Sequence, residues 1–141
     1  MEFELRHHVV GLIAGLGAFL TYWAIILTRA ATDDAAFTEV AWRGPLLLVL
    51  GVGGGLYAVI YLLGLARTRG RVVTDVRDAE IRRAAEEAGA GLTGIASLTA
   101  LILLGLDASS FWVAHVLFVG GYLGSLAYAG KAISAYRKGL A

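Results

Sequence analysis

Cysteine is absent from this 141-residue chain, and Pro45 is its only proline. The first absence excludes disulfides, thiolate metal sites and thiol nucleophiles together. Charge is scarce as well. Asp, Glu, Lys and Arg make up 16% of the residues, against ~25% in soluble domains. The formal net charge is +1, which leaves no electrostatic footprint for nucleic acid. No nucleotide-binding, zinc or hydrolase signature occurs. Gly51-Val52-Gly53-Gly54-Gly55 sits inside an apolar run with no strand before it, so it is not a phosphate loop.

What fills the chain is apolar, 58% of it. A soluble domain of this length could not hide that much, because small domains bury the smallest share of their surface. A bilayer removes the difficulty. Four runs carry no Asp, Glu, Lys or Arg: 9–27, 45–66, 88–106 and 111–129. About 20 residues at 1.5 Å rise cross a hydrocarbon core of ~30 Å, and a central charge costs roughly 2.5–3.5 kcal/mol on insertion scales. Each run is therefore read as a transmembrane helix, and the fold class is all-α, a polytopic four-helix up-down bundle in one domain. The start Met1-Glu2-Phe3-Glu4-Leu5-Arg6 is no basic leader, and the first run exceeds a signal peptide's 7–15 apolar residues, so it is expected to stay as a crossing.

Orientation follows from the basic residues. Arg67, Arg69, Arg71, Arg77, Arg82 and Arg83 lie between the second and third runs, Arg6 before the first, and Lys131, Arg137 and Lys138 after the fourth. The first connection holds Arg29 and Arg43 beside Asp33, Asp34 and Glu39, and the link Asp107-Ala108-Ser109-Ser110 holds no base. The positive-inside rule then predicts both termini and the Arg-rich segment in the cytoplasm, with those six arginines fixing topology and touching lipid headgroups. The four-residue link predicts a tight antiparallel hairpin. The first connection, Thr28 to Gly44, is longer and mostly polar, with room for a short surface helix or for nothing ordered. Trp23, Trp42, Trp112 and Tyr22 map near the outer boundary, Phe3 and Tyr136 near the inner one, as interfacial anchors.

Residues 75–88 read as an amphipathic cytoplasmic helix leading into the third crossing. Asp75 can cap it, Asp78–Arg82, Arg82–Glu86 and Arg83–Glu87 stand at i,i+4 spacing, and Ile81, Ala84, Ala85 and Ala88 share a face. The stretch Arg69-Gly70-Arg71-Val72-Val73-Thr74-Asp75-Val76-Arg77-Asp78-Ala79-Glu80-Ile81-Arg82-Arg83-Ala84-Ala85 resembles the cytoplasmic motif of a prokaryotic family of membrane proteins of unknown function, Asp-Glu-Arg-Asp-x-x-Ile-x-x-x-Ala. Asp75, Arg77, Asp78, Ile81 and Ala85 match, and Val76 stands where the family usually has Glu. The resemblance covers a small part of the chain. It implies a small four-helix protein of a prokaryotic cell membrane and implies no activity.

Trp42 to Arg67 and Trp112 to Arg137 echo each other, each running from an aromatic through a glycine cluster to tyrosine and a basic end. This suggests two copies of a helical hairpin. Small-xxx-small pairs recur at Gly11 and Gly15, Gly51 and Gly55, and Gly120 and Gly124, and Gly89, Thr93 and Ser97 continue the pattern on the third run. Such spacing serves close helix packing, within the chain or against a second copy.

Candidate ligand-binding residues are His115 with Tyr57, Tyr61, Tyr122 and Tyr128, whose hydroxyls could line a small polar cavity or bond neighbouring carbonyls. His115 is the one ionisable imidazole within a run, hence a functional candidate by default. His8 and His115 differ in depth by roughly 20 Å on helix rise, too far to hold one haem. A haem bridging two His115 residues across a dimer stays open. No metal, cofactor or enzyme activity is expected. Expected partners are the lipid bilayer and a second copy or another membrane protein, and no nucleic acid. The leading expectation is a non-enzymatic accessory or interaction component. The alternatives are a transporter or channel-like protein for a small or apolar solute, and a haem-, quinone- or lipid-binding subunit.

Overall fold

The computed structural model describes residues 2–67 and 76–138, and for residues 2–8, Tyr61, Leu65, Arg67 and Lys138 the backbone alone. Among the described residues the chain is all-helical: α1 (Glu2–Asp33), α2 (Arg43–Arg67), α3 (Val76–Gly105) and α4 (Ser110–Lys138). All four are long and apolar enough to cross a membrane. Helix is the form such runs must take in lipid, where every backbone N–H and C=O has to find its partner inside the segment.

The helices outlast the apolar runs that announce them. α1 continues beyond Leu27 to Asp33, and α2 already begins at Arg43. The first connection therefore shrinks from the expected 28–44 to residues 34–42 and holds no surface helix. Hydropathy marks where lipid ends, and a helix in water goes on until its backbone is capped.

The caps are specific. Asp34 and Asp107 both adopt left-handed backbone, φ 47° and 54°. At each, the next N–H returns to the carbonyl five residues back: Ala35 to Ala30 at 3.2 Å and Ala108 to Leu103 at 2.9 Å. This is the Schellman arrangement with Asp where glycine is usual. Aspartate tolerates the left-handed region better than most residues, yet its charge opposes the negative end of the helix dipole. Asp107→Gly should therefore stabilise the protein by about 0.5–1 kcal/mol, and the β-branched Asp107→Val should lose about 1–2 kcal/mol. Thermal unfolding in mild detergent reads both, and a more stable valine variant would refute the cap assignment. At the start of α2 the Leu46 N–H bonds the Trp42 carbonyl at 3.0 Å. Pro45 thus falls in the first turn, where its missing N–H leaves no bond unmade.

The chain divides into two compact units, Ile13–Val72 and Met1–Leu12 with Val73–Ala141. In the first, Tyr22 and Ile26 are fully buried, and Val40, Leu46 and Val49 nearly so. Tyr22 is therefore core, where an interfacial anchor was expected. Trp23 meets Phe19 and Tyr22 edge-on at ring-centroid distances of 6.2 and 5.6 Å. The Arg29 guanidinium donates to the Ala41 carbonyl at 2.8 Å and so ties the connection to the end of α1. The Arg43 guanidinium lies 5.4 Å from the centre of the Trp42 ring.

In the second unit α3 and α4 pack antiparallel along their length. The turn between them is residues 106–109, and the Ser109 carbonyl accepts the first bond of α4 from Trp112 at 3.0 Å. Outside these contacts the helices are coated with large apolar side chains. Leu47 and Val52 on α2, and Ile95, Leu98 and Leu101 on α3, are each more than 60% exposed. A protein in water could not present so continuous an apolar surface.

Candidate functional site

The best-defined feature is the seam of the α3–α4 hairpin, and small residues make it. A Cβ placed on Gly89 would stand 3.0 Å from the Gly124 carbonyl oxygen and 3.1 Å from the Tyr128 Cβ. One on Gly124 would meet the Thr93 hydroxyl and stand 2.9 Å from the Gly89 carbonyl oxygen, and one on Gly120 would collide with the Ala96 methyl. These pairs fix the register: Gly89 opposite Tyr128, Thr93 opposite Gly124, Ala96 opposite Gly120. Without a hydrophobic drive between helices in lipid, such close backbone approach supplies the van der Waals contact that holds them. The Thr93 hydroxyl donates to the Gly89 carbonyl at 3.0 Å, so it enters the seam already satisfied.

The seam continues past the apolar runs. The charge-free stretches of α3 and α4 end at Ala88 and Ala129, which this register places side by side. Beyond that level Ile81, Ala85, Ala132 and Ala135 form a buried cluster, with Tyr128 and Tyr136 packed against it. Ile81 is 1% exposed although Asp78, Glu80, Arg82 and Arg83 surround it in sequence. α3 runs unbroken past Ala88, 30 residues in all or about 45 Å. The result is a two-helix stub with an apolar centre and a charged coat. Arg77, Glu80, Arg82, Arg83, Glu86, Glu87, Lys131 and Arg137 are all exposed on it. Arg82 Nε lies 3.8 Å from the Glu86 carboxylate, one turn apart on α3. Both side chains are mostly exposed, so this pair contributes at most a few tenths of a kcal/mol.

The remaining expected site residues fall in different places. Of the six packing glycines, Gly120 and Gly124 are buried in the seam, whereas Gly15, Gly51 and Gly55 have nothing within 4 Å of a built Cβ. Gly11 is half-buried. On α2 it is Gly53 that comes close to another helix, its Cβ position 3.6 Å from the Ala18 methyl. Tyr57 is 45% exposed in one unit, while Tyr122 and Tyr128 are half-buried in the other. For Tyr61 the structure describes no side chain, and for Arg67 likewise, while Arg69, Arg71 and Asp75 lie outside the described residues. Arg77, Arg82 and Arg83 are exposed on the stub.

His115 is buried, 5% exposed, on the second turn of α4. Its Nδ1 stands 2.7 Å from the Phe111 carbonyl oxygen, so Nδ1 carries the proton and donates. Its ring stacks on the Phe111 ring at 3.9 Å between centroids and an interplanar angle of 29°. The helix's own previous turn therefore accounts for one nitrogen and one ring face. Among the described residues no group of three or more His, Cys, Asp or Glu could hold a metal ion.

Apart from Ala85, sequence reasoning missed the alanines. Ala96, Ala100, Ala129, Ala132 and Ala135 are all buried, yet alanine is equally at home on any helix face and gives no signal alone. The four- and seven-residue spacing of the buried α3 positions (81, 85, 89, 96, 100) was the available clue. The resemblance to a prokaryotic membrane-protein family rests on residues 69–85 alone, for no protein-family model, no curated protein and no solved structure matches this chain.

Proposed function

We propose that this protein is a non-enzymatic interaction component of a prokaryotic cell membrane, with both termini and the α3–α4 stub in the cytoplasm. The observation that supports this reading is the stub itself. A helix pair needed only for anchorage has no use for an apolar centre beyond the lipid. Ile81 and Ala85 against Ala132 and Ala135 make that end of the hairpin firm, and a firm surface rich in both charge signs suits recognition of another polypeptide. Tyr57 belongs to one unit and His115, Tyr122 and Tyr128 to the other, whereas the stub is one packed feature, and the interaction role is therefore put ahead of transport and cofactor binding.

Orientation is tested with a chain that conveniently has no cysteine of its own. Ser134→Cys lies on the stub and Ser109→Cys in the link between α3 and α4, both at exposed positions. An impermeant maleimide added to intact cells is expected to label the link variant and to label the stub variant only after lysis. The opposite pattern would overturn the orientation and with it the cytoplasmic role. The interaction is tested by photo-crosslinking from Arg83 and Glu87, where a discrete adduct with another polypeptide is expected. Crosslinks to lipid alone would refute it.

A further inference from the structure

Sequence spacing assigns headgroup contact to the arginines of α3, but the hairpin's geometry points elsewhere. We infer that the anionic lipid surface is gripped by α4, through Lys131 and Arg137, while the α3 arginines face away from it. The inference rests on the membrane-spanning reading above.

Three observations carry it. First, the register sets Ala88 and Ala129 at one level, so the hydrocarbon edge crosses both helices there. Lys131 then lies about 3 Å beyond that edge along the axis, nearer than Arg83 at about 7.5 Å and Arg82 at about 9 Å. Arg137 stands farther out, at about 12 Å, and meets the surface only through the lean of its side chain. Second, the two helices run in opposite directions, and helical side chains lean towards their own N terminus. On α4 the N terminus is inside the membrane, so Lys131 and Arg137 lean back to the headgroups. On α3 the N terminus points outward, so Arg77, Arg82 and Arg83 lean away. Third, the bases of α3 are interleaved with Asp78, Glu80, Glu86 and Glu87, whereas α4 contains no acidic residue from Ser110 to Lys138. The sequence of α4 therefore offers its bases no acidic neighbour on their own helix, although the register sets Glu86 of α3 level with Lys131 and Glu80 level with Arg137. The exposed Lys131 and Arg137 suit phosphate oxygens.

The test uses the full chain, reconstituted in vesicles of phosphatidylcholine with one part in three phosphatidylglycerol. The protein is then extracted in mild detergent, and the retained phosphatidylglycerol is counted by native mass spectrometry. Wild type is expected to hold phosphatidylglycerol in preference to phosphatidylcholine. Lys131→Gln and Arg137→Gln should each weaken that retention by about fivefold. Arg82→Gln and Arg83→Gln should change it less than twofold. Equal losses for both pairs, larger losses from the α3 pair, or no preference in the wild type would each overturn the inference. Wild type that fails to enter vesicles and stays in the aqueous fraction would instead sink the membrane-spanning reading itself.

Discussion

Gly124→Leu is expected to break the α3–α4 seam, and Gly51→Leu to leave the fold standing. At Gly124 even a methyl group would meet the Thr93 hydroxyl and stand 2.9 Å from the Gly89 carbonyl oxygen. Neither neighbour is the far end of a flexible chain, and a backbone carbonyl yields only if the helices part. Overpacking of this kind costs typically 1–3 kcal/mol, and leucine brings three more carbons than the methyl that already collides. Gly124→Ala should cost about 1–2 kcal/mol and Gly124→Leu about 3 kcal/mol or more. At Gly51 nothing lies within 4 Å. Alanine there should be neutral or stabilising by up to ~1 kcal/mol, because it limits the unfolded chain. Unfolding temperatures of the purified variants in one detergent decide the matter, and equal losses at both glycines would show that the seam is misassigned.

The second large effect lies beyond the apolar runs of α3 and α4. Ile81 is 1% exposed in the cluster with Ala85, Ala132 and Ala135. Truncating Ile81→Ala removes three carbons from a site lined by three alanines, with Tyr128 and Tyr136 packed against it, and the alanines are too small to close the gap. A loss of about 2–4 kcal/mol is expected. Ile81→Asp adds an unpaired charge to the same place and should separate the stub's two helices outright. The readout is limited proteolysis of the reconstituted protein. Cleavage within residues 76–88 should be slow in wild type and fast in both variants, while the crossings stay protected. Unchanged protection in Ile81→Asp would mean that the cluster does not hold the stub.

The two predictions also mark where sequence was informative. The four crossings could be read because lipid tolerates no charge over about 20 residues, and a charge-free run of that length is visible without any packing information. Residues 76–88 could be read as a helix because Ile81 and Ala85 recur at helical spacing among charges, and both are buried in the structure. The helix ends of the first connection could not. Thr28 to Asp33 reads as polar loop, yet nothing in it stops a helix, and the stop came from Asp34 turning left-handed. The glycine pairs show a different limit. Gly51–Gly55 and Gly120–Gly124 have the same spacing, and only three-dimensional register distinguishes a pair pressed against Thr93 and Ala96 from a pair with open space around it. His115 was legible as a candidate but not in its geometry. Whether its proton faces the previous turn or another helix depends on a side-chain torsion that no spacing encodes, and the structure gives it to Phe111.

On the membrane-spanning reading proposed above, α3 passes the membrane surface at Ala88 without a break, and this has a mechanical consequence. A loop at that level would absorb a sideways push on the stub. A continuous helix clamped to a second one by interlocked glycines works instead as a lever with its fulcrum at the headgroups. Tilting the stub by a few degrees would swing the Asp107 turn at the far end in the opposite direction, so a load applied on one side of the bilayer would be felt on the other.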